Sequence, residues 1–254
     1  MNLSVKAMVL NVMPAGEADR LCVLLTDRLG IVRAFAKGAR RIKNKNFAST
    51  MQFVYGGFQL FEHKDRYYID EADHEELFLA LRDDIEGLAL AQYLCELAME
   101  LTPPDSGGEV YLRLMRAALY CLSRRQHPAA LIKAAAETRM LSLAGYQPDL
   151  TMCQGCGRYE ADTMYFMLRS GILRCGDCGP EASEPFARLG RGAMAALRHA
   201  AYAELRSLFS FELGEESARQ LSAACESYLL ENIEHSFVTL DFYKSLLRTS
   251  SDGQ

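Results

Sequence analysis

No stretch of the 254-residue chain approaches the roughly 18 consecutive apolar residues that a membrane-spanning helix needs. The N-terminal segment, residues 1–20, has Lys6 within its apolar part and no small-residue cleavage site, so it does not match a signal peptide. Low-complexity tracts are also absent, and 50% of the residues are apolar, which is the composition of a folded protein. We therefore expect a globular cytoplasmic protein of one or two domains, with no membrane partner.

The sequence also lacks common signatures of catalytic sites. It has neither the Gly-x-x-x-x-Gly-Lys-[Ser/Thr] loop that binds nucleotide phosphates nor a Gly-x-Ser-x-Gly nucleophile turn. The five histidines have no metal-ligand spacing: they are His63, His74, His127, His199 and His235. The chain is therefore not expected to be an enzyme.

A cluster of acids offers one alternative to that expectation. It comprises Asp70, Glu71, Asp73, Glu75 and Glu76, which are close enough in sequence to suggest the carboxylates of a two-metal nuclease. Their mixed spacing favours a solvated charge run instead. Cleavage of labelled DNA with magnesium or manganese would identify a nuclease.

Charge is distributed unevenly along the chain. The formal net charge is −5, yet seven of the 28 Lys and Arg residues lie within residues 28–47, which contain no acid. Five of these cations fall within residues 37–45, here called the basic segment. A basic loop is an efficient phosphate clamp, because each phosphate contact releases counterions. The predicted DNA-binding residues are Arg33, Lys37, Arg40, Arg41, Lys43 and Lys45.

The alternative for the basic segment is an ordinary solvated loop. Aromatic residues near it are candidate stacking faces for bases, although their place in the core of a barrel is the favoured interpretation. These residues are Phe35, Phe47, Phe53 and Tyr55. Nothing in this region can read a base sequence, so binding should be general.

Four of the eight cysteines form two Cys-x-x-Cys pairs. The pairs are Cys153 with Cys156 and Cys175 with Cys178, and 18 residues separate them. This is the spacing of a four-thiolate zinc site. A glycine follows each pair, where a tight turn around a metal often needs a positive φ. We predict one structural zinc per chain, with two redox-active or disulfide pairs as the alternative.

Hydrophobic patterning divides the chain into three parts. Residues 1–78 contain five short strand patterns, which suit a small closed barrel of the OB type. From residue 75 the apolar period is helical, which predicts a helical domain of residues 79–150 and 181–249. Residues 151–180 are the inserted zinc-binding module. The predicted fold class is α+β, an N-terminal OB-fold β-barrel followed by an α-helical bundle with an inserted zinc ribbon.

Local patterns add detail to this prediction. The third strand pattern places Ile31, Arg33, Phe35 and Lys37 on one face. The fourth, residues 52–61, contains two consecutive glycines, which indicate a bulge or a sharp bend. Within the zinc module, the pattern predicts a hairpin that turns at residues 170–171.

Several of these motifs together resemble a known family. They are Gly-Glu-Ala-Asp-Arg at 16–20, Thr-Asp-Arg-Leu-Gly at 26–30, Ala-Lys-Gly-Ala-Arg-Arg at 36–41, and the helix end at 141–150 that leads into the first cysteine pair. In this order, and over nearly the whole chain, they are similar to the RecO family of bacterial recombination mediators.

The resemblance implies a function in DNA repair without bond chemistry. Members of the family bind single- and double-stranded DNA and anneal complementary strands. With RecR they load RecA on DNA coated by single-strand-binding protein (SSB), in gap repair by the RecF pathway. The implied partners are therefore DNA, RecR and SSB, with RecF and RecA as further partners, and the implied location is the nucleoid in the cytoplasm.

The resemblance also implies that the helical domain binds the acidic C-terminal tail of SSB. Such a tail needs an apolar pocket and nearby cations. The candidate partner-binding residues are Lys133 and Arg139 on the predicted third helix and Arg113 and Arg116 on the preceding one. The alternative function is a zinc-stabilised protein-interaction scaffold with little direct DNA binding, which the salt dependence of DNA affinity would distinguish.

Overall fold

The computed structural model describes residues 2–103 and 107–251. Its N-terminal part is a closed barrel with the strand order β1-β2-β3-β5-β4. The strands are β1 (Asn2–Ala15), β2 (Asp19–Thr26), β3 (Gly30–Ala36), β4 (Tyr55–His63) and β5 (Arg66–Glu76). All pairs are antiparallel except β3 with β5, which is parallel. The predicted OB-type barrel is confirmed.

Alternation along each strand builds the barrel core. On β3, Val32, Ala34 and Ala36 are buried, whereas Arg33 is exposed and Phe35 is half-buried on the outer face. The predicted common face of residues 31, 33, 35 and 37 is therefore confirmed. The inward face of β3 is built from small side chains, which leaves room for the larger Phe58 and Leu60 of β4 in the same core.

The first glycine of the pair in β4 has a steric reason. A Cβ on Gly56 would lie 1.9 Å from the backbone oxygen of Asp73, so no other residue fits without moving β5. The pairing register of β4 and β5 shifts at this point, as a bulge requires. The bulge predicted from the two glycines is confirmed.

Two strand bounds differ from the sequence-based prediction. Strand β4 begins at Tyr55 instead of residue 52, because residues 51–53 form turns and Phe53 has a φ of 69°. Strand β5 continues to Glu76, where Glu76 pairs with Tyr55, so the acidic cluster lies on a strand and the helical pattern begins later than residue 75. Pairing with β4 along its whole length outweighs the weak strand propensity of those acids.

The helices are α1 (Ile85–Leu101), α2 (Glu109–Ser123), α3 (Ala129–Leu143), α4 (Arg191–Tyr202), α5 (Glu215–Asn232) and α6 (Val238–Ser251). Helix α1 begins where the carboxylate of Asp84 accepts a hydrogen bond from the Gly87 N–H, a cap that contributes about 1 kcal/mol. In the described part of the chain, no helix is both long and apolar enough to cross a membrane.

The chain divides into two compact units. Unit 1 comprises residues 1–124 and 242–254, and unit 2 comprises residues 125–241. Helices α1 and α2 therefore group with the barrel in unit 1. The three-part domain organisation expected from the sequence stays a prediction.

Unit 2 contains a second small sheet with the strand order β7-β6-β8. Its strands are β6 (Thr163–Met167), β7 (Leu173–Cys175) and β8 (Phe186–Gly190). Strands β6 and β7 form the predicted hairpin, and Gly171 in its turn has a φ of 69°. Strand β8 pairs with the other edge of β6, which extends the sheet beyond residue 180.

A buried charge cluster lies in the core of unit 2. The side chain of Lys133 is 2% exposed, and its Nζ lies 2.8 Å from Glu137 Oε1, one turn later on α3, and 2.8 Å from Glu226 Oε2 on α5. Burial by itself lowers the pKa of Lys133, but the two carboxylates outweigh burial and hold that pKa above its ordinary value. The ammonium is stable inside the protein only because both carboxylates accompany it.

We predict that Lys133→Met lowers the free energy of unfolding by about 3–5 kcal/mol, because it leaves two carboxylates near the core without this cation. The triple variant Lys133→Met/Glu137→Met/Glu226→Gln should recover most of the loss. Urea denaturation followed by circular dichroism measures both, with exposed Lys43→Met as the matched control. Since the pKa of Lys133 is raised in the folded state, the stability that its ion pairs contribute is fully present at neutral pH. That contribution is lost as pH rises through the folded-state pKa. A single variant as stable as wild type would contradict the prediction.

Candidate metal centre and nucleic-acid interface

The two cysteine pairs have the same turn geometry. The Gly157 N–H donates to the Cys153 carbonyl at 2.8 Å, and the Gly179 N–H donates to the Cys175 carbonyl at 3.0 Å. The two glycines have φ values of 73° and 69°, as predicted for the residue after each pair. Each turn aims both of its sulfurs to one side. The sequence Cys-x-x-Cys-Gly therefore builds two equivalent metal-binding turns.

The four sulfurs converge on one point. Those of Cys153, Cys156, Cys175 and Cys178 all lie within 4.8 Å of one another, and the sulfurs of Cys156 and Cys175 are 3.6 Å apart. Four sulfurs around a tetrahedral ion would be about 3.8 Å apart, given metal–sulfur bonds of about 2.3 Å. The sulfurs therefore fit a metal ion bound by four thiolates, a set that leaves no open coordination position.

Local hydrogen bonds favour thiolates in this cluster. Burial opposes ionisation of Cys153, but backbone N–H groups, including that of Cys175 at 3.2 Å from its sulfur, lower its pKa to about 6. The backbone N–H of Cys178 lowers the pKa of Cys175. Cys178 differs: hydrogen bonds with the sulfurs of Cys156, Cys175 and Cys153 raise its pKa to about 12.

The cysteines outside the cluster behave differently. Burial raises the pKa of Cys22 and of Cys225 to about 12, and it raises the pKa of Cys95 as well. These thiols are buried and stay protonated, so they are core residues and not metal ligands.

The basic segment is attached to the barrel at its beginning. The Arg40 guanidinium donates to the carbonyls of Gly16 and Glu17 at 3.1 Å each, and the Gly38 N–H donates to Asp19 at 2.7 Å. These contacts hold the segment against the turn between β1 and β2. Since its guanidinium is engaged with that turn, Arg40 positions the segment as well as adding charge.

Most of the predicted DNA-binding cations are exposed and unpaired. Among the described residues, no ion pair includes Arg33, Lys37, Arg41 or Lys43. Lys45 pairs with Glu71 of β5 at 3.4 Å, but both side chains are more than half exposed. Such a pair is worth about 0–1 kcal/mol, so a phosphate can replace the carboxylate. The cations are thus available to a polyanion.

The acidic cluster on β5 is arranged differently from a two-metal site. Glu75 pairs with Lys6, Glu76 pairs with Arg116 at 2.5 Å, and Glu71 pairs with Lys45. Three of the five acids therefore face cations. Among the described residues, three or more possible metal-ligand atoms come close together only in the cysteine cluster. The acids of β5 do not converge in this way.

The four aromatic residues near the basic segment lie in three different environments. Phe53 and Tyr55 are buried, as the core interpretation predicts. The ring of Phe47 lies under the Arg20 guanidinium at 4.9 Å from the ring centroid. Only Phe35 lies on the outer face of a strand, where its ring meets that of Tyr68, a residue that the sequence interpretation missed.

Helix α3 does not present the predicted rim for an acidic tail. Lys133 is buried with its two carboxylates, and the neighbouring Leu131, Ile132 and Met140 are at most 3% exposed. The half-buried Arg139 guanidinium donates to backbone carbonyls of the α4 end, at 2.6 Å for the closest. In this conformation, these cations already have partners inside unit 2.

The other two candidates, Arg113 and Arg116 on α2, are exposed. Together with Leu112, Tyr55 and Lys6 they line a cavity of about 160 Å³ in unit 1. Arg116 also lies over the Tyr55 ring at 4.6 Å from its centroid. Acids line the same cavity, namely Asp27 and Glu109.

Comparison with known protein families agrees with this architecture. A family model described as "Recombination protein O N terminal" matches residues 1–78, and one described as "Recombination protein O C terminal" matches residues 82–241. The chain belongs to the RecO family. The resemblance noted from the sequence motifs is thereby confirmed.

Curated relatives cover nearly the whole chain. The "DNA repair protein RecO" of Acetivibrio thermocellus is 32% identical over 247 residues, which are 97% of this chain and 98% of the relative. That of Symbiobacterium thermophilum is 29% identical over 96% of this chain, and that of Dehalococcoides mccartyi is 27% identical over 93%. Membership of this RecO family supports a role in DNA repair.

We predict that each chain, purified without chelator, contains one metal ion, and that Cys153→Ser or Cys178→Ser removes it. Loss of the ion should open residues 151–180 first, because that segment has few apolar residues and depends on the metal for its stability. Elemental analysis and limited proteolysis measure the two effects, with Cys121→Ala as the matched control outside the cluster. Wild-type protein with far less than one ion per chain would contradict this prediction.

Proposed function

We propose that this RecO-family chain is a DNA-binding recombination mediator. It binds single- and double-stranded DNA through the barrel and the basic segment, anneals complementary strands, and acts with RecR to load RecA on SSB-coated DNA, with RecF as a further partner. The observation that carries the proposal is the exposed, unpaired set of cations attached to an OB-type barrel in a family of DNA repair proteins. Its place of action is the nucleoid.

The cations bind DNA through its phosphates. Each phosphate that Lys37, Arg41 or Lys43 neutralises releases condensed counterions, which favours binding regardless of base sequence. General binding suits a mediator, because gaps occur in any sequence. It also suits annealing, since contacts to the backbone leave the base edges free to pair.

The cysteine cluster has a structural part in this function. We propose that Cys153, Cys156, Cys175 and Cys178 hold zinc, which prefers four thiolates in a closed tetrahedral site. The zinc links the two turns and stabilises the sheet of β6, β7 and β8. The function needs no bond chemistry from it.

We predict that Lys37→Glu/Arg41→Glu/Lys43→Glu weakens binding of unrelated single-stranded sequences to the same degree. The slope of log affinity against log salt should fall by roughly 0.7 for each lost phosphate contact. Fluorescence anisotropy at several salt concentrations measures both quantities. The variant leaves Arg40 unchanged, because its contacts with the β1–β2 turn hold the segment in place.

A matched control has the same kind of charge reversal in unit 2. Arg188, Arg206 and Arg219 are exposed cations, and their triple change to Glu alters net charge equally. This control should keep the wild-type slope. If the basic-segment variant keeps it too, the interaction scaffold with little DNA binding becomes the better function. Cleavage of the DNA in magnesium or manganese would instead support a nuclease.

We further propose that the chain binds the acidic C-terminal tail of SSB, and we predict that the exposed pair on α2 contributes. A labelled tail peptide should bind wild type at low salt and be released as salt rises, because exposed charge pairs are screened. Arg113→Glu/Arg116→Glu should lower the affinity for the peptide at least tenfold and leave the affinity for DNA unchanged. Fluorescence titration measures this, with Arg206→Glu/Arg219→Glu as control.

Two results would count against this tail site. Normal peptide binding by the α2 variant would place the tail elsewhere. No binding by wild type at low salt would remove SSB as a direct partner, and DNA binding and annealing would then stand alone.

A further inference from the structure

Three aromatic side chains form a row across adjacent strands on the outside of the barrel. Phe35 of β3 pairs in register with Tyr68 of β5, and Tyr68 pairs with Phe61 of β4. The ring centroids of Phe35 and Tyr68 are 5.7 Å apart, and those of Phe61 and Tyr68 are 5.0 Å apart with nearly parallel planes at 14°. We call these residues the aromatic row.

The row is half-buried, in contrast to the barrel core beneath it. All three side chains retain partial exposure, whereas Leu60 and Ile69, one position along on β4 and β5, are at most 4% exposed. Within unit 1, helix α2 reaches β4 and β5 through Arg116, which contacts Tyr55 and Glu76, and these two residues lie at the opposite ends of those strands from the row. The row therefore has a surface that its own unit leaves accessible.

Cations surround the aromatic row. The Nζ of Lys37 lies 5.3 Å from the centroid of the Tyr68 ring, and the Arg66 guanidinium carbon lies 6.0 Å from that of Phe35. Arg33 is exposed on the same outer face of β3, two residues before Phe35. Asp70 is also exposed, on β5 two residues after Tyr68, so the anionic side of the surface begins there.

Aromatic rings beside exposed cations match the chemistry of single-stranded nucleic acid. Each base has a flat π-face that stacks on a ring, and each nucleotide carries a phosphate for a neighbouring cation. Duplex DNA hides its base faces inside the helix, so it can use the cations but not the rings. A surface with both features therefore distinguishes single strands from duplexes.

We propose that unpaired bases of single-stranded DNA stack on the aromatic row, while Lys37 and Arg66 hold the adjoining phosphates. The inference rests on the proposed function and adds a base-contacting surface to it. Stacking occupies the face of a base and leaves its pairing edge open. A strand held in this way stays competent to anneal with its complement.

The test compares three DNA probes of equal length by fluorescence anisotropy: an oligothymidylate, the same backbone with abasic sites, and a duplex. Tyr68→Leu should lose about tenfold in affinity for oligothymidylate, within the range measured for one stacked base. Its affinity for the abasic strand and for the duplex should change less than twofold. Its salt slope should equal that of wild type, because the phosphate contacts remain.

Two further variants separate stacking from folding. Tyr68→Phe keeps the ring and should keep wild-type affinity for all three probes. Phe186→Leu removes an exposed ring from an unrelated aromatic pair, the edge-to-face contact with Tyr165 in unit 2, and should also bind normally. Equal losses of Tyr68→Leu on the thymidylate and abasic strands would overturn the proposal, because they would indicate a purely structural role.

The outcomes also separate this inference from the proposed function. If Tyr68→Leu binds oligothymidylate as wild type does, while reversal of the basic-segment cations weakens binding, the aromatic row is not a stacking surface and the mediator function stands. If wild-type protein binds none of the three probes, both proposals fall.

Discussion

The parallel pairing of β3 with β5 closes the barrel, and the arrangement of its outer surface depends on that pairing. Only two residue pairs form it, Ala34 with Tyr67 and Phe35 with Tyr68. Because β5 lies beside β3, strand β4 lies on the far side of β5, and the chain after β3 must cross an end of the barrel to reach it. That crossing includes the basic segment. The same pairing brings the Phe35 and Tyr68 rings together, so charge and aromatic surface have one topological cause.

The crossing is held by specific polar contacts. The buried Asn46 side chain donates to the Asp70 carbonyl and accepts from the Ala72 N–H, each at 3.1 Å, so it replaces a strand partner for β5. An unpaired buried backbone group would cost about 1–3 kcal/mol. Arg40 fixes the beginning of the crossing and Asn46 fixes its later part. The exposed cations between them are therefore held on a defined surface.

Unit 2 is stabilised in two contrasting ways. The cysteine turns are preorganised by backbone hydrogen bonds and by glycines at positive φ, which lowers the cost of gathering four thiolates around one ion. Lys133 lies in an apolar core, where its ammonium is stable because it forms ion pairs with two carboxylates. In both cases the charged groups depend on partners within the fold, whereas exposed pairs such as Lys45 with Glu71 contribute little. Because exposed ion pairs are this weak, the surface cations can exchange a carboxylate for a phosphate.

The sequence by itself determined the features that depend on local spacing and alternation. These are the barrel strands, the cysteine turns with their glycines, the bulge at Gly56 and the basic segment. Only the tertiary structure decided which side chains meet across distant elements. Lys133 has the spacing of a surface residue, yet Glu226 lies 93 positions later, so its burial could not be inferred locally. The alternation of buried and exposed residues places Phe35 and Tyr68 on the outer faces of their own strands. Their contact, however, follows from the strand order, because the pairing of the whole barrel decides which strands become neighbours.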